Sequence, residues 1–351
     1  MYGIYTLQVV NPNGERSNTA SAPSQGILAG VVLEGAHITD VQAGYPGKAF
    51  ADVAAIQRTD GTWRLLFDAG GAIHSATSPD GLTLTMESGT PIPSRLNDGT
   101  PIRPSLVKIL RLDSGQVRVY FASGNMYSAI SNDEGRTFTM EAGVRISTSA
   151  LGTLGMSGGS VVRAGGQWRM YFDDHADRIV SATSSDLLNW TLDPGVRIGP
   201  GSALGAVQSV HPGAIVNADG SVSLFFFHGP SSFNPAPGLN GIYVATSRDG
   251  LTFTTESWTG IGSGGDPNVV PVGGGLRMYY NWGDDFGGTI YSARLPLLSA
   301  LQVQQSVAQT WSAPFIPTAP GPVTAGPSIG RPGPGILPAA PGRSGRGGVI
   351  K

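Results

Sequence analysis

Cysteine is absent from this chain of 351 residues. That excludes disulfide staples, thiol nucleophiles and thiolate-held metals, although it leaves the compartment open. Charge is scarce too: 13% of residues carry it and the formal net charge is −2. No basic field therefore exists to attract nucleic acid or an anionic membrane. No uninterrupted apolar run approaches the length of a membrane span. The opening Met1-Tyr-Gly-Ile-Tyr5 does not read as a secretory leader. Plentiful instead are glycine, with 52 residues, and hydrophobic residues at 40%. This is the composition of a turn-dense all-β protein with enough apolar material for a substantial core.

One short pattern recurs five times, roughly every 50–55 residues, a period that belongs to propellers, solenoids or arrays. Its clearest part reads Trp63-Arg-Leu-Leu-Phe-Asp68, Val117-Arg-Val-Tyr-Phe-Ala122, Trp168-Arg-Met-Tyr-Phe-Asp173, Val222-Ser-Leu-Phe-Phe-Phe227 and Leu276-Arg-Met-Tyr-Tyr-Asn281. β-branched and aromatic residues bounded by Gly and Asp make each copy a strand. Apolar strands precede these copies: Ala54–Ile56, Leu106–Val107, Val161–Val162, Ala214–Val216 and Val269–Val270. Tight Asp/Gly turns join the two. A third strand follows in Ile73–Ala76, Met126–Ala129, Ile179–Ala182, Ile242–Ala245 and Ile290–Ala293, and another Asp-centred turn leads to a fourth. The expected fold is all-β, a five-bladed β-propeller of four-stranded antiparallel blades.

The fifth copy stops after its third strand. Val31–Ile38, which is similar to the fourth strands of other copies, supplies the missing one from the N-terminal side and closes the ring, removing exposed sheet edges. Residues 26–295 form the propeller in this reading. Residues 1–25 resemble the end of an immunoglobulin-like (IPT/TIG) domain plus a linker, which suggests a piece of a larger extracellular or cell-surface chain. Residues 296–351 are a Pro/Gly-rich tail with too little apolar content to order itself.

The longer connections, between strands two and three and between blades, emerge on one side around the channel mouth, so function is expected there. Asp60, Asp113, Asp219, Asp80, Asp133, Asp186 and Asp249 repeat at equivalent turns and are structural. Arg64, Arg118, Arg169 and Arg277 also repeat at one position and read as framework. The carboxyls left for the mouth are Asp52 and Asp266 at inner-strand starts and Asp68, Asp173 and Asp174 at second-strand ends, with Asp284 and Asp285 close by.

Inner-strand starts read Asp52-Val, Arg103-Pro, Ser157-Gly, His211-Pro and Asp266-Pro. Polar residues that differ from blade to blade either line a binding site or cap strands around a wet channel. His175 and His228 lie on the same side. Trp282, Phe286 and Phe233 fall in mouth loops, where aromatic faces could stack on sugar rings or pack the loops themselves. No cofactor is expected, nor a catalytic metal. A structural cation such as calcium in the central channel is the one ion anticipated.

From Gly26 to Leu295 the organisation resembles the five-bladed glycoside hydrolases, the arabinanase/xylosidase family with its sucrose- and fructan-cleaving relatives. That resemblance implies a base or nucleophile at the first inner strand, which is Asp52. Asp266-Pro-Asn268 is similar to an Asp-Pro-Asn motif of the fructan group but stands in a different blade, and His211 stands where the usual fourth-blade Glu acid would be. Ser131-Asn-Asp-Glu-Gly-Arg-Thr-Phe138 resembles the Asp-box turn of sialidases, with Ser78–Gly81 and Ser247–Gly250 as shorter versions. Glycoside hydrolysis usually needs one ionised and one protonated carboxyl across the sugar. The expectation is Asp52 as base, with Asp173 or Asp174 as acid. Arg103, His211, Asp266, His175, His228, Trp282 and Asp68 would bind substrate. The alternative is a non-catalytic glycan- or protein-binding module, monomeric within an extracellular multidomain protein.

Overall fold

The structure is a computed structural model that describes residues 4–7, 20–23, 26–199, 208–229, 241–253, 255–262, 264–284 and 287–298. Nearly all of the regular secondary structure among them lies in five antiparallel sheets arranged as a propeller. Blade one comprises Phe50–Gln57, Trp63–Ala69, Ala72–Ser78 and Thr85–Met86, and blade two Ser105–Arg111, Val117–Ser123, Asn125–Ser131 and Thr139–Met140. Blade three comprises Ser160–Ala164, Gln167–Asp173, Ile179–Ser184 and Thr191–Leu192. Blade four runs through Gln208–Val216, Val222–Gly229, Gly241–Ser247 and Thr255–Trp258, and blade five through Gly265–Val272, Gly275–Asp284 and Gly287–Leu295.

Blade five takes its outer strand, Val32–Thr39, from the N-terminal side, antiparallel to Gly287–Leu295 with Ile38 opposite Ile290. Closure by an early strand is thus how the ring ends. The repeats did not foretell a further pairing: Gly26–Ile27 adds in parallel to the outer edge of blade four, beside Ser257 and Trp258. Ile4–Leu7 and Ala20–Pro23 pair antiparallel as a separate hairpin. The tail from residue 299 onward lies outside the described residues.

Each apolar cluster is shared by two neighbouring blades. Leu66 and Ile73 of blade one, for instance, pack with Val119 and Phe121 of blade two. Second strands are therefore covered on both faces, and every residue of Trp63–Ala69 is buried. That explains their almost unbroken apolar run, where a half-exposed strand would alternate.

The repeated arginines build one device four times. Arg64 grips Glu87, Arg118 grips Glu141, Arg169 grips Asp193 and Arg277 grips Glu34, each tying a second strand to the outer strand. A third-strand serine donates to the same carboxylate, from Ser75, Ser128, Ser181 and Ser292 respectively. Blade four has Ser223 and Val244 at these two places. Arg and Ser are lost together there, as a shared task predicts.

The Asp turns behave as local chemistry requires. In each, a serine hydroxyl (Ser78, Ser131, Ser184, Ser247) donates to the Asp two residues on. That Asp accepts backbone N–H groups from the far side of the turn, which holds the carboxyls of Asp80, Asp133, Asp186 and Asp249 below the usual range. One expectation about connections needs correction. The links between strands two and three are short in blades one and two, Gly70-Gly71 and Gly124 alone. These glycines have φ of 61°, 89° and 72°, which let the hairpins turn without extra length.

Candidate functional site

At the mouth, four inner strands break register in the same way. Two residues bulge out of the ladder between Ala51 and Ala54, Ser105 and Lys108, Val210 and Gly213, and Gly265 and Asn268. The first residue of each bulge has left-handed backbone: Asp52 (φ 59°), Leu106 (54°), His211 (55°) and Asp266 (53°). Asp and His tolerate this region better than Leu, and such conformations cost of order 1–3 kcal/mol unless the surroundings hold them.

Carboxylates hold them. Asp266 Oδ2 accepts the Asp52 N–H at 3.4 Å, Asp52 Oδ2 accepts the Leu106 N–H at 3.3 Å, and Asp173 Oδ2 accepts the His211 N–H at 3.1 Å. Every one of these bonds crosses from one blade to the next. Polar atoms of Asp52, His211 and Asp266 come within 4.8 Å of one another. His211 Nδ1 bonds to Asp266 Oδ1, while its Nε2 stands 4.0 Å from Asp173 Oδ2. The imidazole thus lies between two carboxylates. Ser157, Leu106, Val107 and Lys108 complete the wall of this small well.

The electrostatics separate the two central acids. Burial, reinforced by the charge of Asp266, raises the Asp52 carboxyl well above the usual range. Burial pushes Asp266 the same way, but the charge and hydrogen bond of His211, with help from Lys108, bring it down to about 2. Burial opposes the His211 cation, yet Asp266, then Asp173 and Asp52, raise it to about 10. Burial and charge thus push the two central acids apart, Asp52 up and Asp266 down. Burial and a neighbour 214 residues away decide this, and neither is visible in the local sequence.

The other expected site residues divide. Asp173 joins the cluster, is 1% exposed, and donates its backbone N–H to Ser157 Oγ at 2.9 Å. Asp68 is close enough for its charge to raise Asp52, and its Oδ1 accepts the Gly71 N–H at 3.2 Å. His175 stands at the exposed rim with Nε2 3.9 Å from Asp173. Asp174 turns away: Arg178 binds it at 2.5 Å inside the same hairpin. Arg103 is also displaced, because the bulge makes Leu106, three residues on, the counterpart of Asp52. Its guanidinium lies exposed over the Gly71 carbonyl at 3.1 Å. His228 is enclosed in blade four, with rings of Phe226 and Tyr243 against it and Nδ1 2.7 Å from Ser209 Oγ. Burial lowers it to about 4. Trp282 pairs through its backbone with Thr289, but its side chain and that of Asp284, and all of Phe233, Asp285 and Phe286, lie outside the described residues.

Sequence reasoning missed Lys108. Lys48 and Lys351 are the chain's other lysines, so a lysine inside the apolar Leu106–Leu110 run was itself the signal.

No protein-family model and no curated protein matches the sequence. Solved structures do match in shape. A thermostable family-43 glycoside hydrolase superposes with a TM-score of 0.59 at 13% identity, over 77% of this chain and 94% of its own. The endo-arabinase of Bacteroides thetaiotaomicron gives 0.54 at 17% identity, over 71% and 94%. The α-L-arabinofuranosidase Arb93A of Fusarium graminearum gives 0.51 at 13%, over 75% and 98%. At these identities the likeness establishes the five-bladed propeller fold. The site must carry the rest of the argument.

Proposed function

We propose that this chain is a carbohydrate-active propeller of the glycoside-hydrolase type, which takes an oligosaccharide at the channel mouth and cleaves it with Asp52 as the proton donor. The observation behind this reading is the split in proton affinity at the well. The Asp52 carboxyl is raised and that of Asp266 lowered, and pairs of acids pushed apart in this way are how acid and base roles are assigned. Oxygens of Asp52 and Asp266 lie too close together to flank a sugar. The second catalytic carboxyl in this proposal is therefore Asp173, on the other side of the His211 ring. Extracellular location and a monomeric propeller within a longer chain belong to the same proposal.

A specific observation favours a second reading, a glycan-binding module without turnover. Asp173 is almost sealed, and both its oxygens already accept backbone N–H groups, from His175 and His211. One experiment separates the two. The full chain and Asp52→Asn are assayed against a broad panel of aryl-glycosides and, in parallel, for oligosaccharide binding. Turnover that disappears in Asp52→Asn with an unchanged melting temperature supports catalysis. Binding without any turnover leaves the module reading. Neither binding nor turnover rejects the carbohydrate proposal itself.

A further inference from the structure

Lys108 sits in the well and has no part in the carbohydrate reading. It leaves the inner strand of blade two, and its Nζ donates to the Pro267 carbonyl of blade five at 3.3 Å. The residues just after the bulge in the other three inner strands are Ala54, Gly213 and Asn268. A Cβ on Gly213 would already stand 2.3 Å from that same carbonyl oxygen. Gly213 therefore leaves clear the carbonyl that the lysine reaches. Its exposure is 6%.

A buried ammonium is costly unless carboxylates surround it. Burial works against the Lys108 cation, and the charges of Asp266, Asp52 and Asp173 work for it. The well thus sets three acids against two bases, Lys108 and His211. The donor atoms of Asp52, His211 and Asp266 are near enough together for a metal ion, yet in this chain Lys108 already occupies the place such an ion would take among them. The ammonium adds a positive charge to the same well.

We propose that the Lys108 ammonium is the resident cation of the channel, tethered to the fold and filling the neutralising place anticipated for a calcium ion. The propeller then needs no divalent ion, and removing the ammonium opens a site for one.

The test uses the full chain. The parent protein is melted in chelator and in millimolar calcium, and the two midpoints should agree within about 1 °C, since a ligand that does not bind shifts nothing. Lys108→Met should melt lower in chelator and recover with calcium, by roughly 5–10 °C when calcium is about 100-fold above its Kd. Titration calorimetry should count a single new site. Because the chain has no cysteine, Lys108→Cys can be alkylated selectively in denaturant and refolded. Bromoethylamine restores an ammonium and should abolish the calcium response; a neutral alkyl group of equal length should leave it. A parent protein stabilised by calcium overturns the proposal even if neither variant folds. So does a folded Lys108→Met that takes up no calcium, or a response abolished equally by both alkylations.

Discussion

Glu34→Gln tests the closure of the ring at the ion pair that ties its N-terminal strand to blade five. Glu34 lies on the N-terminal strand and receives Arg277 through Nε at 2.8 Å and a second nitrogen at 2.9 Å, with Ser292 Oγ at 2.6 Å. The two side chains are 6% and 13% exposed, so this is a largely buried, bidentate pair. Glutamine keeps the shape but leaves the Arg277 charge without a counter-charge. Breaking one side of such a pair costs about 3–5 kcal/mol, and the remaining amide oxygen places the expected loss near 3. For a domain of this size, that loss lowers the melting midpoint by roughly 6–12 °C. Asp113→Asn is the control, since its contact with Arg163 has 87% and 59% exposed partners and should matter by less than about 1 kcal/mol. Calorimetric scans of parent, Glu34→Gln and Asp113→Asn decide the matter. Removing both partners (Glu34→Leu with Arg277→Met) should recover much of the loss, because the penalty lies in the orphaned charge. A Glu34→Gln midpoint within a degree of the parent would refute the reasoning.

Further outcomes follow from the same contacts. Deleting residues 1–38 should collapse the ring cooperatively while deleting 1–20 should not, as read by urea unfolding; equal midpoints would contradict closure by Val32–Thr39. Acid should destabilise the fold in two stages: buried His228, lowered to about 4, weakens it as pH falls below its unfolded value near 6.5, and the depressed carboxyls of Asp80, Asp133, Asp186, Asp249, Glu34 and Glu87 contribute above their unfolded values near 4 and lose that contribution as pH falls through the folded ones. On the alkaline side, His211, raised to about 10, contributes fully below its unfolded value near 6.5 and ceases to as pH rises through 10. His211→Gln should flatten that limb, and a limb unchanged by the substitution would show that other groups cause it. Asp80→Asn, at the end of blade one opposite the mouth, should lower the midpoint and leave oligosaccharide binding alone.

The ring was legible because its information is repeated or conspicuously missing. Trp63–Asp68 and its counterparts announce the period, and a fifth copy without an outer strand asks for Val32–Thr39. Arg64, Arg118, Arg169 and Arg277 read as framework from repetition alone. The mouth was only half legible. Arg103 was aligned with Asp52 because both precede an apolar strand, but the bulge makes Leu106 the counterpart, and nothing in a leucine advertises left-handed backbone. Asp173 and Asp174 are equivalent by position in the sequence, and only the folded hairpin brings Arg178, four residues on, onto the second of them. The raised Asp52 carboxyl and the reach of Lys108 depend on contacts 214 and 159 residues away, across a channel that exists only once all blades are in place.

The same logic explains why Gly26–Ile27 pairs where it does. Around the ring, each blade is latched to the Asp turn of the next: Arg64 to the Glu134 carbonyl, Tyr120 to Leu187, Tyr171 to Gly250, and Tyr279 to Gly81. The junction from blade four to blade five cannot be latched this way. Blade five draws its outer strand from the start of the chain, so it has no turn between third and fourth strands to receive the bond. Blade four also has Phe225 where blades two, three and five use tyrosine, and it lacks the internal Arg–Ser tie. At that junction the chain runs from Gly26–Ile27, on the edge of blade four, directly into Val32–Thr39 of blade five. Leu28 anchors the passage, donating its N–H to the Trp258 carbonyl at 2.8 Å and burying its side chain among Phe225, Ile242 and Leu276. Burial of one leucine is worth about 1.5–3 kcal/mol, comparable to the latches it replaces. The strand that closes blade five is thereby also the clasp on blade four, and the ring is fastened on both sides of the one joint its repeat cannot fasten.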